Sequence, residues 1–148
     1  MQSADWKTTL HGSCHCGQLR LEFSSNQSPE NFTPRACDCS FCRKHGAAYI
    51  SDPVGRLSIT AKRTALRRYR QGSNNAEFLL CGECGVLVAV VFAQTARLYG
   101  AINVGCLDAG ESLGASMPAS PQTLAPDEKV SRWLALWVPD VELIESAA

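Results

Sequence analysis

The sequence predicts a mainly β fold with one short helix near the C-terminus. Three features support this fold class: apolar and polar residues alternate from Gln18 to Phe23, a strong turn occupies residues 71–75, and an amphipathic segment follows Pro126. Alternation with a period of two is typical of a half-buried strand. The 148 residues are enough for one domain with its own core, so we expect a single domain over residues 1–148.

Further strands are predicted where short apolar runs end at turn residues. The turn QGSNN, residues 71–75, predicts a hairpin tip between two of them. Residues 24–34 are mostly polar and include two prolines, which predicts a loop. Besides Gln18–Phe23, the predicted strands are Ala47–Ser51, Leu57–Thr60, Ala65–Arg70, Phe78–Leu80, Val86–Phe92 and Arg97–Val104.

Residues 109–148 are predicted to form an irregular loop and then a terminal helix. Gly, Ser, Ala and Pro dominate residues 105–126, a composition that predicts a long irregular excursion. Residues 127–137 can form one short helix, because Pro126 suits a first helical turn and the two acids that follow suit the positive end of the helix dipole. Pro139 would stop this helix, and its tryptophans, Trp133 and Trp137, are predicted core contacts.

The composition argues against two classes of partner. Fourteen basic residues balance fourteen acidic ones, whereas binding to nucleic acid through bulk charge needs a surplus of Lys and Arg. No stretch approaches the roughly 20 apolar residues of a membrane-spanning helix, and the N-terminal MQSADWKTTLHG lacks the apolar core of a signal peptide. We therefore expect a cytoplasmic protein that binds neither nucleic acid nor a membrane. The exposed strand edges of a small β domain would allow a homodimer.

Eight cysteines are the main chemical feature of the sequence. In the cytoplasm they are expected to be reduced and available to a metal. Seven of them fall in three close groups, and Cys106 stands alone. The groups are Cys14-x-Cys16, Cys37-x-Cys39-x-x-Cys42 and Cys81-x-x-Cys84. Such short spacings in separate groups are typical of metal sites, for which zinc is favoured although thiolates also bind iron.

Glycines indicate how the seven cysteines divide. Gly17 follows Cys16 and Gly85 follows Cys84, and a glycine with φ > 0 lets amide N–H groups approach the thiolates. The two groups that are followed by a glycine are therefore predicted to be halves of one closed zinc site, formed by Cys14, Cys16, Cys81 and Cys84. A structural zinc contributes roughly 10–16 kcal/mol in small peptides, so this site is expected to stabilise the fold.

A rival partition joins the second group to the third as a zinc ribbon, Cys39 and Cys42 with Cys81 and Cys84. The 38 residues between the two pairs are about twice the usual 15–20 of that pattern.

In the favoured partition, the second group supplies three ligands, Cys37, Cys39 and Cys42, to a metal that takes four. The fourth ligand could be Cys106, His45 or an exogenous molecule, and we favour a position left open. An open position is characteristic of a catalytic zinc, whereas a closed site is structural.

Two basic clusters have alternative interpretations. The residues after the second group, Arg43, Lys44 and His45, either compensate the charge of the thiolates or belong to a solvated loop. A second cluster, Arg67, Arg68 and Arg70, either binds the carboxylates of a peptide thiol or forms the exposed face of a strand.

Four motifs resemble the family of glutathione-dependent formaldehyde-activating enzymes and their relatives, which include centromere protein V. They appear in the family's order and span roughly residues 11–108. The motifs are HGSCHCGQLRLEF at 11–23, CDCSFCRKHGA at 37–47, LLCGECG at 79–85 and, more weakly, INVGCLD at 102–108.

The resemblance implies a β-tent-type scaffold of folded antiparallel sheets built around a structural zinc. It also implies two zinc ions per chain and assigns them to the same cysteines as the glycine argument. The structural ion would be held by Cys14, Cys16, Cys81 and Cys84, and the catalytic ion by Cys37, Cys39 and Cys42.

The implied activity is that of a zinc-dependent carbon–sulfur lyase. A thiol such as glutathione would bind at the open three-cysteine site and form or lose an S-hydroxymethyl adduct with a small aldehyde such as formaldehyde. Three thiolates damp the Lewis acidity of zinc, so a fourth thiol is a better partner there than a hydrolytic water. The alternative function is a non-catalytic zinc module that binds a protein. An accessible pocket at the second site would favour the enzyme, and a filled site beside an exposed apolar patch would favour the module.

Overall fold

The computed structural model describes residues 5–108 and 113–146, which form two open β-sheets, two α-helices and three short 3₁₀ turns. The prediction of a mainly β fold with one main helix is confirmed. The strands are β1 (Thr8–Ser13), β2 (Leu19–Ser25), β3 (Arg35–Cys37), β4 (Tyr49–Ile50), β5 (Arg56–Lys62), β6 (Leu66–Tyr69), β7 (Glu77–Cys81), β8 (Leu87–Gln94), β9 (Arg97–Asn103), β10 (Met117–Ala119) and β11 (Val141–Ser146). The helices are α1 (Ser40–His45) and α2 (Pro126–Leu136), and the 3₁₀ turns are Pro29–Asn31, Val104–Cys106 and Pro121–Thr123.

The strands form a small and a large sheet. The small sheet has the order β1-β2-β5-β11, and the large sheet has the order β10-β3-β4-β9-β8-β7-β6. All interior pairs are antiparallel, but β11 runs parallel to β5 and β10 runs parallel to β3. The sheets are therefore mixed and not purely antiparallel as predicted. A parallel pair needs a long crossover connection, and both edge strands come from the C-terminal part of the chain, far in sequence from their partners.

The large sheet is covered on both faces. One apolar cluster lies between the two sheets and contains Phe23, Leu57 and Ile102, and a second lies against α2 and contains Phe78 and Phe92. Strand β8 contributes to both clusters, so its first six residues are buried in succession. A strand buried on both faces appears in the sequence as a continuous apolar run.

The predicted turn and strands are found at their predicted positions, but the strands begin and end at slightly different residues. The turn at residues 71–75 joins β6 to β7 as an antiparallel hairpin, with Gly72 and Asn74 at positive φ. Strands β1, β3, β10 and β11 were not predicted. The predicted loop at residues 24–34 begins only after Ser25, because the last residues of β2 still pair with β1.

The predicted irregular segment at residues 105–126 contains more structure than expected. Its described part includes β10 and a 3₁₀ turn at Pro121–Thr123, while residues 109–112 lie outside the described residues. Helix α2 begins at Pro126 and ends one residue before the predicted end, because Trp137 is extended with φ −80° and ψ 157°. No helix among the described residues is long and apolar enough to cross a membrane.

Helix α1 was missed because its six residues are too few to display a helical period. Its end signals were nevertheless present in the sequence. The sulfur of Cys39 caps the first turn by accepting the N–H of Cys42, and Gly46 ends the helix in the left-handed conformation with φ 61°. Basic residues followed by glycine are a standard C-terminal signal, and the last turn of α1 contains Arg43, Lys44 and His45, directly before Gly46.

Candidate metal centres

Four cysteines from two distant turns meet at one end of the sheets. Cys14 and Cys16 belong to the turn between β1 and β2, Cys81 ends β7, and Cys84 lies in the turn before β8. Their four sulfur atoms lie within 4.8 Å of one another. The glycine that follows each pair has positive φ as expected, 84° at residue 17 and 83° at residue 85.

The spacing of these sulfurs fits a tetrahedral zinc ion. Zinc–sulfur bonds of about 2.3 Å require sulfurs about 3.8 Å apart. The observed distances are 3.7 Å from Cys14 Sγ to Cys16 Sγ and 3.6 Å from Cys16 Sγ to Cys81 Sγ. Backbone N–H groups point at the sulfurs, from Leu19 to Cys14 at 3.3 Å and from Glu83 to Cys81 at 3.4 Å. This cluster, which we call the four-cysteine site, could hold zinc.

The thiols of the four-cysteine site have different proton affinities. Burial raises the pKa of Cys81 to about 11. Burial acts in the same direction on Cys84, but hydrogen bonds from the backbone of Cys16 and Val86 outweigh it and lower the pKa of Cys84 to about 6. A metal must displace the protons that remain, so its affinity increases with pH.

The other clustered cysteines meet at the N-terminus of α1. Cys37 ends β3, Cys39 precedes the helix, and Cys42 lies within it, and their sulfurs are within 4.8 Å of one another. Two neighbouring side chains contact this three-cysteine site. The Tyr49 hydroxyl lies 3.1 Å from Cys42 Sγ, and Gln71 Nε2 lies 3.8 Å from Cys39 Sγ. Three sulfurs at this separation could also hold zinc.

Hydrogen bonding gives the thiols of the three-cysteine site different pKa values. The hydrogen bond from Cys42 lowers the pKa of Cys37 to about 6, and the same bond, together with burial, raises the pKa of Cys42. Burial and then the Cys42 sulfur raise the pKa of Tyr49 well above its usual value near 10. The Tyr49 hydroxyl therefore keeps its proton and would donate a hydrogen bond to the Cys42 thiolate if a metal were held there.

Neither proposed protein candidate for a fourth ligand reaches the three-cysteine site. Among residues 5–108 and 113–146, no further His, Cys, Asp or Glu ligand atom joins the three sulfurs. Cys106 Sγ is buried and donates to the Asn103 carbonyl at 3.0 Å, while His45 is exposed and packs on the Phe41 ring with centroids 4.6 Å apart. The rival zinc-ribbon partition also disagrees with this geometry, because Cys81 and Cys84 lie with the first group.

A cavity of about 120 Å³ opens onto the three-cysteine site. Its apolar wall includes Phe78 and the stacked rings of Trp133 and Trp137, whose centroids are 4.9 Å apart. Both tryptophans are buried, which agrees with the prediction of core contacts. Their rings also form part of the cavity surface, which the sequence did not predict.

Three cations line the same cavity, Arg35, Lys129 and Arg132. Burial, and then the positive charge of Arg132, lower the pKa of Arg35 to about 10, so Arg35 remains charged at neutral pH. None of these three cations was predicted from the sequence to belong to the site. A signal was available for α2, since Lys129 lies four residues before Trp133 on the face that packs inward, and Arg132 follows Lys129 at i, i+3.

The two basic clusters that are visible in the sequence lie elsewhere. Arg43, Lys44 and His45 are exposed in the last turn of α1, where positive charge favours the C-terminal end of a helix dipole, and none of them lines the cavity. Arg67 and Arg68 are exposed in β6, and Arg70 is exposed directly after it. Glu77 pairs with Arg68 and Arg70, and Glu145 also pairs with Arg68.

Replacing Tyr49 with phenylalanine is expected to weaken metal binding at the three-cysteine site alone. The change removes the only polar group of the ring, its hydroxyl, and leaves the buried ring in place. Partners that orient metal ligands are worth about 10–100-fold in affinity, and we expect a loss in that range. Competition with a chelator would measure it. An equal loss at both sites would contradict a local role for Tyr49.

Comparisons with known proteins identify a family and a solved structure of similar fold. One solved structure, a crystal structure of a Rhodobacter sphaeroides protein determined as a structural-genomics target, is similar to the chain with a TM-score of 0.53 and 25% sequence identity. The similarity covers 72% of this chain and 99% of that one. The family model described as glutathione-dependent formaldehyde-activating enzyme matches residues 9–126, which include all eight cysteines. The chain therefore belongs to the family of glutathione-dependent formaldehyde-activating enzymes.

Proposed function

We propose that the protein is a zinc-dependent carbon–sulfur lyase that combines a thiol with a small aldehyde or catalyses the reverse cleavage. The observation that carries this proposal is the cavity beside three clustered sulfurs that no fourth described side chain completes. Membership in an enzyme family supports catalysis over a non-catalytic binding module. The family name supports glutathione and formaldehyde as the substrate types.

The two cysteine clusters are proposed to have different roles. The four-cysteine site would hold a structural zinc that ties the β1–β2 turn to the β7–β8 turn, because its four ligands leave no position for a substrate. Cys37, Cys39 and Cys42 would hold the catalytic zinc. Zinc held there supplies a position at which an incoming thiol loses its proton near neutral pH, where a free thiol is mostly protonated.

Neighbouring side chains would stabilise the charge of the thiolates and exclude water from the cavity. Tyr49 and Gln71 donate hydrogen bonds toward Cys42 and Cys39, which spreads the negative charge of the thiolates. The indole rings of Trp133 and Trp137 exclude water from one side of the cavity. In the forward reaction the substrate sulfur attacks the aldehyde carbon, the C–S bond forms as the carbon–oxygen π bond breaks, and the oxygen takes a proton from solvent. The reverse reaction cleaves the same C–S bond.

Thiol binding at the three-cysteine site can be tested by cadmium NMR of the metal-substituted protein. Cadmium replaces zinc at thiolate sites, and two sites with different ligands give two resonances. We expect added glutathione to shift only one resonance, toward the position typical of four sulfur ligands. The Cys39→Ser variant serves as the control and should lack that resonance. If both resonances already indicate four sulfurs and ignore the thiol, the proposed mechanism is wrong.

A further inference from the structure

We propose that Cys16 is a redox modification site: its sulfur exchanges with a low-molecular-weight disulfide such as glutathione disulfide, and Cys81 then displaces the attached thiol. The product is a disulfide between Cys16 and Cys81, which replaces the metal as the link across the four-cysteine site. This inference goes beyond the proposed activity, because it concerns the other cysteine cluster and involves no aldehyde.

Cys16 is the most accessible of the clustered cysteines. All eight cysteines lie among the described residues, and Cys16 alone is exposed. Within the same site Cys14 and Cys81 are each only 1% exposed, and Cys84 is partly buried. A disulfide in solution must reach the sulfur that attacks it, so access decides which thiol exchanges first. We therefore expect the first exchange at Cys16, although four cysteines share the site.

A second sulfur lies close enough to complete the exchange. Cys16 Sγ is 3.6 Å from Cys81 Sγ. An S–S bond is about 2.05 Å long, so this pair must close by roughly 1.5 Å. Cys16 lies in a turn and Cys81 at the end of a strand, where the backbone can shift by that amount more readily than inside a sheet. A neighbouring thiol also reacts at a much higher effective concentration than a second molecule from solution.

The topology favours Cys81 over Cys14 as the final partner. Cys14 Sγ is nearly as close to Cys16 Sγ, at 3.7 Å. However, a disulfide stabilises more when it closes a longer loop, and Cys16 and Cys81 are 65 residues apart whereas Cys14 and Cys16 are two apart. Repeated exchange lets the more stable pairing accumulate. The Cys16–Cys81 bond joins the β1–β2 turn to the end of β7, so the two halves of the site stay together.

The two steps balance without a further oxidant. In the first step the Cys16 sulfur attacks one sulfur of glutathione disulfide, a new S–S bond forms as the old one breaks, and one glutathione thiolate leaves. In the second step the Cys81 sulfur attacks the Cys16 sulfur, and the second glutathione thiolate leaves. Two cysteines are oxidised while one disulfide is reduced to two thiols. Thiolates are the metal ligands, so the oxidised pair no longer binds zinc until a thiol reduces it.

Treatment of the zinc-loaded full chain with glutathione disulfide, in the absence of aldehyde, tests the proposal. A zinc-sensitive dye follows the release of the metal, and mass spectrometry of acid-quenched samples locates the adduct and the disulfide. We expect the first adduct on Cys16, the final disulfide between Cys16 and Cys81, and one zinc ion released per chain. An excess of dithiothreitol with added zinc should reverse all three changes. A first adduct on any other cysteine, or a different final disulfide, would overturn the proposal.

The Cys16→His variant removes the exposed thiol and keeps a zinc ligand, since three cysteines and one histidine are a common structural zinc set. Exchange must then wait until local opening exposes a buried sulfur, so we expect zinc release to slow about tenfold or more. Cys106→Ser is the matched control: it removes a cysteine outside both clusters and should release zinc at the original rate. Equally fast release from Cys16→His would contradict the inference. If that variant fails to bind zinc, the location of the first adduct in the original protein decides the question alone.

Discussion

Replacing Cys84 with serine is expected to unfold the protein. Cys84 is one of four sulfurs that join the β1–β2 turn to the β7–β8 turn, and a serine hydroxyl is a poor zinc ligand. A structural zinc is worth roughly 10–16 kcal/mol in peptides, whereas whole domains are stable by about 5–15 kcal/mol. Losing the ion would therefore remove most of the net stability. Circular dichroism during thermal unfolding, together with metal analysis, measures the effect.

Cys106→Ser is the matched control for this prediction. Cys106 is buried but lies outside both cysteine clusters, and a serine hydroxyl can donate to the Asn103 carbonyl in place of the thiol. We expect this variant to retain two zinc ions per chain and to lose only about 1–2 kcal/mol of stability, within the usual range for a single substitution. A soluble Cys84→Ser protein that unfolds cooperatively with one zinc missing would refute the structural role of the four-cysteine site.

Replacing Cys39 with serine should abolish activity and leave the fold intact. Cys39 is a ligand candidate at the three-cysteine site and also the N-cap of α1, and serine is among the best N-cap residues. The helix start is thus preserved while the metal ligand is lost. Even groups that only orient metal ligands contribute up to about 100-fold, so we expect the rate to fall by more than about 100-fold.

The measurement for Cys39→Ser combines three readouts on one preparation. Metal analysis should find one zinc per chain, circular dichroism should match the original protein, and NMR exchange between formaldehyde and glutathione should show the background rate only. A variant with two zinc ions and normal turnover would show that Cys39 is not a catalytic ligand. An unfolded variant would show that the three-cysteine site is needed for folding as well, contrary to the division of roles proposed above.

Local features of the fold could be predicted from the sequence because their causes are local. The alternation in β2, the apolar run of β8 and the turn at residues 71–75 each reflect neighbouring residues. Helix α2 was placed to within a residue because Pro126 and the acids after it mark its start. The parallel pairing of β11 with β5 could not be predicted in this way. It depends on packing between segments about 84 residues apart, for example Val141 beside Leu57, and no local signal encodes that register.

The cysteine groups could likewise be predicted better than the cavity around them. Short spacings and the glycines at 17 and 85 indicated which sulfurs come together, since backbone turning at a metal site is a local requirement. The cavity instead combines Arg35 from an early strand with Arg132 from the last helix, residues that only the tertiary fold brings together. The basic residues after Cys42 are the more visible pattern in the sequence. In the structure they form the last turn of α1 and are exposed to solvent.

Helix α2 begins at Pro126, the residue at which the match to the family model ends. The cysteines and the helical wall of the cavity are thus encoded by separate stretches of sequence. The helix could therefore change during evolution, and with it the molecules that fit the cavity, while all the cysteines are retained. Grafting a different terminal helix onto the same scaffold is accordingly a route to engineered specificity.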